Sequence, residues 1–269
     1  MSLILCRQEP VASPYFIEEL GIHLYSSQEL NYVIYNHPLL VMEDFVNERL
    51  AAFFRTELKM PFLAERIQKW IQSRGASDEL LFLILQDCAY YTQPEQAAYR
   101  QRVAALRKLP VHEYEKRRAD YFYGLGLYGR AISIYEGILN EGDKTLSHEF
   151  KGKVWNNLGA CHAKLFRYQK AMHAYGCAWN EKPEAGCLKR MYFLTKLEPE
   201  LSMRDRCREL LASQDTESWD RELHEALARA GQAGPAVRLQ EIFDRDPEKR
   251  LEGASRVLNQ WKLEYRKML

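Results

Sequence analysis

Between Gly152 and Pro183 the chain places small residues where two helices would have to touch. Trp155, Leu158 and His162 fall three and four apart, so they share one face of a helix. Gly159 lies on the same stretch, and Ala171, Tyr175 and Ala178 follow on a second one. Pro183 then ends the unit, because a proline cannot continue a helix in the usual hydrogen-bonded way. A weaker copy runs 40 residues earlier, with Ala119, Phe122, Gly126, Tyr128, Ala131 and Tyr135 in step. That copy has Glu115, Arg118 and Asp143 in place of Trp155, Leu158 and Pro183. A degenerate third unit starts at Gly186 with "CLKRMYFLTKL" and carries Asp205 where a small apolar residue is expected. A single helix pair cannot bury its own apolar face, so such units must stack on neighbours.

Counted from Gly152 in a 34-residue frame, this pattern resembles the tetratricopeptide repeat at seven of its eight signature positions, with His162 replacing the eighth, a tyrosine. The units are 112–145 and 152–185, and the extra residues between them are expected as a longer connector in "GDKTLSHEFKG". The resemblance implies an all-α fold: an α-solenoid-like, right-handed stack of antiparallel helix pairs with atypical helical N- and C-terminal parts. The expected organisation is a helical N-terminal part over 1–110, repeats over 111–200 and a helical C-terminal part over 201–269. The remainder of the chain is similar to bacterial tetratricopeptide-repeat proteins that bring no assigned activity.

The flanks also read as helix. Ser26–Glu29 and Thr92–Glu95 are capping boxes. Pro38 forbids continuation, helical spacing resumes near Met42, Pro61 suits a first turn, and Ser77 is placed to cap "DELLFLILQDCAYY". No run shows sustained strand alternation. Leu251, Ala254, Leu258, Trp261, Tyr265 and Met268 make one stripe on a long terminal helix, roughly 246–268.

Composition narrows the function. Charges nearly cancel, at +1 overall, and no third of the chain is strongly basic, which argues against nucleic-acid binding. The longest apolar run, Leu80–Leu85, is far short of the ~20 residues of a membrane span. "MSLILCRQEP" lacks the features of a secretory leader, so the six cysteines are expected as reduced thiols in the cytoplasm. A regulator with a DNA-reading helix over 79–91 would need basic residues there, and that segment has none. Cys161, His162, His173 and Cys177 are the nearest approach to a metal set, but Cys161 and His162 are adjacent and cannot easily converge. No catalytic motif is present, and no cofactor is expected. "YFY" at 121–123 and "YY" at 90–91 lack interleaved basic residues, so they read as core or interface rather than as stacking platforms.

The resemblance therefore implies a non-enzymatic scaffold whose first helices line a concave groove for a peptide or partner protein. The residues it places there are Lys116, Arg117, Asp120, Lys153, Asn156, Asn157 and Arg190, with Cys187 and Met191 in the degenerate unit. The cations favour an acidic segment, and asparagine can bracket a peptide amide with a donor and an acceptor. Lys116 and Asn157 match the set by which one subgroup clamps chaperone tails, whereas Asp120, Cys187 and Met191 depart from it. The alternative is a homodimer or other assembly through Leu258, Trp261 and Tyr265.

Overall fold

The computed structural model describes residues 11–43, 45–73, 77–141, 146–201, 205–244 and 246–269. Helix dominates, as expected: fifteen helices lie among the described residues. The chain divides into two compact units, Met1–Arg118 and Ala119–Leu269.

The first unit opens on a feature the sequence reading did not anticipate. Strands β1 (Tyr15–Ile17) and β2 (Ile22–Leu24) pair antiparallel, Tyr15 opposite Leu24 and Ile17 opposite Ile22. Gly21, at φ +63, closes the turn, and its N–H donates to the Ile17 carbonyl at 2.9 Å. Strands of three residues are too short to display an alternation. Six helices follow: α1 (Ser27–Asn36), α2 (Pro38–Val41), α3 (Glu48–Thr56), α4 (Pro61–Gln72), α5 (Ser77–Asp87) and α6 (Gln93–Arg107). Ser26 caps α1 by accepting from the Glu29 N–H, while the Glu29 carboxylate reaches back to Tyr25 N, one residue before the cap. Thr92 and Glu95 cap α6 through the Thr92 N–H, 2.8 Å from Glu95 Oε2.

Two boundaries differ from expectation. Helix α3 starts at Glu48, not near Met42, because Asn47 is extended and its side chain takes the Leu50 N–H. Ser77 lies inside α5, and its hydroxyl donates to the Met42 carbonyl. Leu30, Ile34, Leu50, Phe54, Ile67, Leu81 and Ile84 of this unit are all fully buried.

Helix α7 (Val111–Gly124) carries the division between the units. The second unit continues with α8 (Tyr128–Glu141), α9 (His148–Lys164), α10 (Tyr168–Glu181), α11 (Ala185–Leu197) and α12 (Asp205–Ala212). The expected connector is partly helix, because Ser147 caps α9 by accepting from the Phe150 N–H at 3.2 Å. The small positions are tight where it matters. A Cβ on Gly159 would lie 2.7 Å from the Tyr175 ring, and Ala171 and Ala178 are buried.

The turns α7–α8 and α9–α10 repeat at the level of single hydrogen bonds. Leu127 N donates to Phe122 O, Gly126 N to Tyr123 O and Leu125 N to Tyr121 O. Arg167 N, Phe166 N and Leu165 N donate to His162 O, Ala163 O and Cys161 O in the same pattern. This is a left-handed helix termination in which otherwise orphaned carbonyls find donors. Its occurrence at matching places makes the unit helical-repeat-like.

Beyond α12 come α13 (Glu217–Gly231), α14 (Gly234–Phe243) and α15 (Pro247–Met268). Helix α15 packs on α14 where Gly253 meets Ile242; a Cβ on Gly253 would stand 3.0 Å from Ile242 Cγ2. Its far end returns to the repeat, with Leu269 backbone against Gly129 and the Tyr265 hydroxyl 3.4 Å from Leu165 O. No described helix is long and apolar enough to cross a membrane.

Candidate functional site

Three of the residues expected on the groove are tied to one another. Asp120 Oδ1 accepts from the Tyr135 hydroxyl at 2.5 Å and from Asn157 Nδ2 at 2.9 Å. Asn156 Nδ2 donates onward to Asn157 Oδ1 at 3.2 Å, and Asn156 Oδ1 lies 4.0 Å from Cys187 Sγ. The result is a polar ladder linking α7, α9 and α11. Tyr135 is fully buried, and burial, reinforced by the bond to Asp120, pushes its hydroxyl well above the usual tyrosine range. A buried hydroxyl needs a partner, and an ionised acceptor gives one of the stronger hydrogen bonds. Asp120 and Asn157 therefore hold helices together, and Asn156 is the half-buried edge of the ladder.

The cations are placed differently. Lys153 is exposed and pairs with Glu149 at 2.8 Å, one turn earlier on α9. Arg190 is exposed on α11, its guanidinium 6.0 Å from the Tyr175 ring centre. Lys116 is half-buried and Arg117 exposed, and both are among the last residues of the first unit. Cys187 and Met191 do not line a groove. Both are buried, and Met191 sits in a core cluster with Ala171, Met172, Leu188 and Leu194. Burial raises the Cys187 thiol.

A concavity on another part of this unit was not anticipated. Helices α8, α9 and α10 bound an open cleft of about 810 Å³, lined by Glu136, Trp155, Leu158, His162, Lys170 and His173 among others. The His173 ring meets the Trp155 indole edge-on at 6.0 Å. His162 is only 4% exposed, and its Nδ1 has no hydrogen-bond partner among the described residues. Burial, with Lys170 and Arg167 nearby, lowers its pKa to about 4, so the ring is neutral near pH 7. Neither Glu136 nor Lys170 forms an ion pair among the described residues. The sequence signal was the histidine at a position where the preceding unit has Phe122.

His173 and Cys177 face each other, with Nε2 3.8 Å from Sγ, whereas the Cys161 thiol is buried, which pushes it up to about 12. Among the described residues no group of three or more His, Cys, Asp or Glu gathers around a common point. On α15, Leu258 and Trp261 are about half exposed, whereas Tyr265 reaches into its own chain. Helix α5 buries Leu80, Leu81, Ile84 and Leu85, the face of a core helix.

No protein-family model, curated protein or solved structure matches the chain. What the fold defines is a class: an all-α protein that is helical-repeat-like in its second unit.

Proposed function

We propose that this chain is a tetratricopeptide-type interaction scaffold, without enzymatic activity, that holds an acidic segment of a partner protein along α9 and α11. The observation that supports this reading is the duplicated helix termination at Phe122–Leu127 and His162–Arg167, which gives two successive helix pairs the same turn. A stack of like pairs presents its first helices side by side, and extended peptides bind such faces. Lys153 and Arg190 supply the cations, Asn156 the amide, and the Asp120–Asn157–Tyr135 ladder the rigid backing. The described cysteines are free thiols, in keeping with the cytoplasmic location this reading takes.

The test is titration of a fluorescein-labelled glutamate-rich decapeptide into the protein at low and moderate salt. Binding that weakens with salt, and about tenfold further in Lys153→Ala/Arg190→Ala, supports the reading. Equal affinity in the double variant would end it.

Self-assembly through α15 is the second reading, favoured by the half-exposed Leu258 and Trp261. Sedimentation of wild type and Leu258→Asp/Trp261→Asp separates the two. A dimer lost in the variant, with peptide binding intact, assigns the stripe to assembly.

A further inference from the structure

The cleft between α8, α9 and α10 has the features of a binding site independent of the α9–α11 face. An apolar and aromatic wall, Trp155 with Leu158 and His173, stands beside Glu136 and Lys170, neither of which forms an ion pair among the described residues. Small-ligand sites are built in that proportion. The decisive residue is His162. A buried ring nitrogen without a hydrogen bond is costly, and native interiors rarely leave one. The fold does not require it. At the same place in the preceding unit Phe122 fills the space with hydrocarbon and is equally buried. Histidine here gives up a hydrocarbon contact to place an imidazole in the cleft wall that has no side-chain hydrogen bond among the described residues.

Charge narrows the ligand. Lys170 lines the cleft, and Arg167 adds to the positive field at His162. Glu136 on the α8 side is the opposing charge in the lining. An anionic group therefore belongs at the α10 side, beside Lys170, with an apolar body over Trp155 and Leu158. We propose that this cleft binds an aromatic carboxylate, its ring against Trp155, its carboxylate on Lys170 and a polar atom on His162. A free aromatic acid and the C-terminal aromatic residue of a peptide share this chemistry.

The experiment is calorimetric or ligand-observed NMR titration with N-acetyl-L-phenylalanine and with N-acetyl-L-phenylalaninamide, which lacks the carboxylate. The expected result is saturable binding of the carboxylate at about 0.1–1 mM, with the amide roughly threefold to tenfold weaker. Lys170→Ala should equalise the two probes. His162→Phe should fold, judged by circular dichroism, because the preceding unit carries phenylalanine there, and should lose binding. A Gly-Gly-Ser-Phe peptide with a free terminus distinguishes the sources: tighter binding than N-acetyl-L-phenylalanine assigns a peptide terminus, and equal or weaker binding assigns a free acid. No saturation by either probe, equal affinity of the two in wild type, or wild-type binding in His162→Phe would overturn the proposal. Lys153→Ala/Arg190→Ala should leave this binding unchanged, so its failure and that of the acidic-peptide reading are separately visible.

Discussion

Gly126 and Phe166 hold the same left-handed backbone conformation, φ +79 and +57, at the same place in two successive helix pairs. Only the glycine does so without steric cost, since a side chain in this region costs roughly 1–2 kcal/mol. Phe166 is 69% exposed, so little packing offsets that strain. Phe166→Gly should raise stability by about 1 kcal/mol in urea unfolding, and Gly126→Ala should lower it by a similar amount. Destabilisation by Phe166→Gly would mean that the exposed ring contributes more than its exposure suggests.

Gly159 and Gly137 should respond to alanine with opposite signs. Both lie in helices, where alanine is intrinsically better by about 0.5–1 kcal/mol. At Gly137 an added Cβ meets nothing within 4 Å, so that gain should appear. At Gly159 it would press into the Tyr175 ring, which is itself buried, and overpacking should cost about 1–3 kcal/mol. Thermal unfolding of the two variants checks the contrast.

The Asp120 ladder makes a prediction about both stability and alkali. Asn157→Ala should cost about 1–2 kcal/mol by removing a donor to a half-buried carboxylate. The Tyr135 hydroxyl ionises at higher pH in the folded state than in the unfolded one, so its contribution is fully present below about pH 10 and is lost as pH rises beyond it. Tyr135→Phe should flatten the alkaline limb of the stability–pH curve measured by denaturant titration.

His162 acts at the acid side. Its pKa falls from 6.5 unfolded to about 4 folded, so stability is intact above pH 6.5 and declines as pH falls towards 4. The loss between pH 7.5 and pH 5 should be about 2 kcal/mol from this ring alone. His162→Phe should show that much less acid sensitivity than wild type in paired urea titrations.

In the first unit Arg107 is the hub. Its guanidinium donates to both Asp78 oxygens at 2.9 Å and to the Met42 carbonyl at 3.0 Å, with Glu43 at 3.3 Å. Tyr114 donates to the same Glu43 at 2.6 Å. Arg107→Met should destabilise this unit by about 1–3 kcal/mol, and Arg107→Lys should recover little, because an ammonium cannot reproduce the planar fork. Hydrogen exchange resolved by segment would show the loss confined to residues of the first unit.

The helices were legible because their signals are local. Ser26, Thr92, Pro61 and the 3–4 spacing of apolar residues act within one or two turns, and the structure puts helices there. The hairpin at Tyr15–Leu24 was not legible, since its stability comes from elsewhere. Arg49 lies over the Tyr15 ring at 4.8 Å, and the Glu57 carboxylate takes the backbone N–H groups of Ala12 and Ser13. The tyrosines near residue 90 tell the same story. Their sequence neighbours are not basic, yet Tyr91 stacks on Tyr35 at 4.1 Å, and Arg102, on another helix, lies 4.4 Å from that Tyr35 ring.

The candidate site divides along the same line. Sequence by itself determined that Gly159, Ala171 and Tyr175 belong to a close helix pair, because side-chain size and spacing are properties of the chain. Only the tertiary structure decided that Asp120 and Asn157 face each other, that Cys187 and Met191 are buried, and that the His162 ring lies in the wall of an open cleft. Hydrogen bonding and burial depend on what other helices bring to the same place, and residues such as Asp120 and Asn157, far apart in the chain, carry no local mark of meeting.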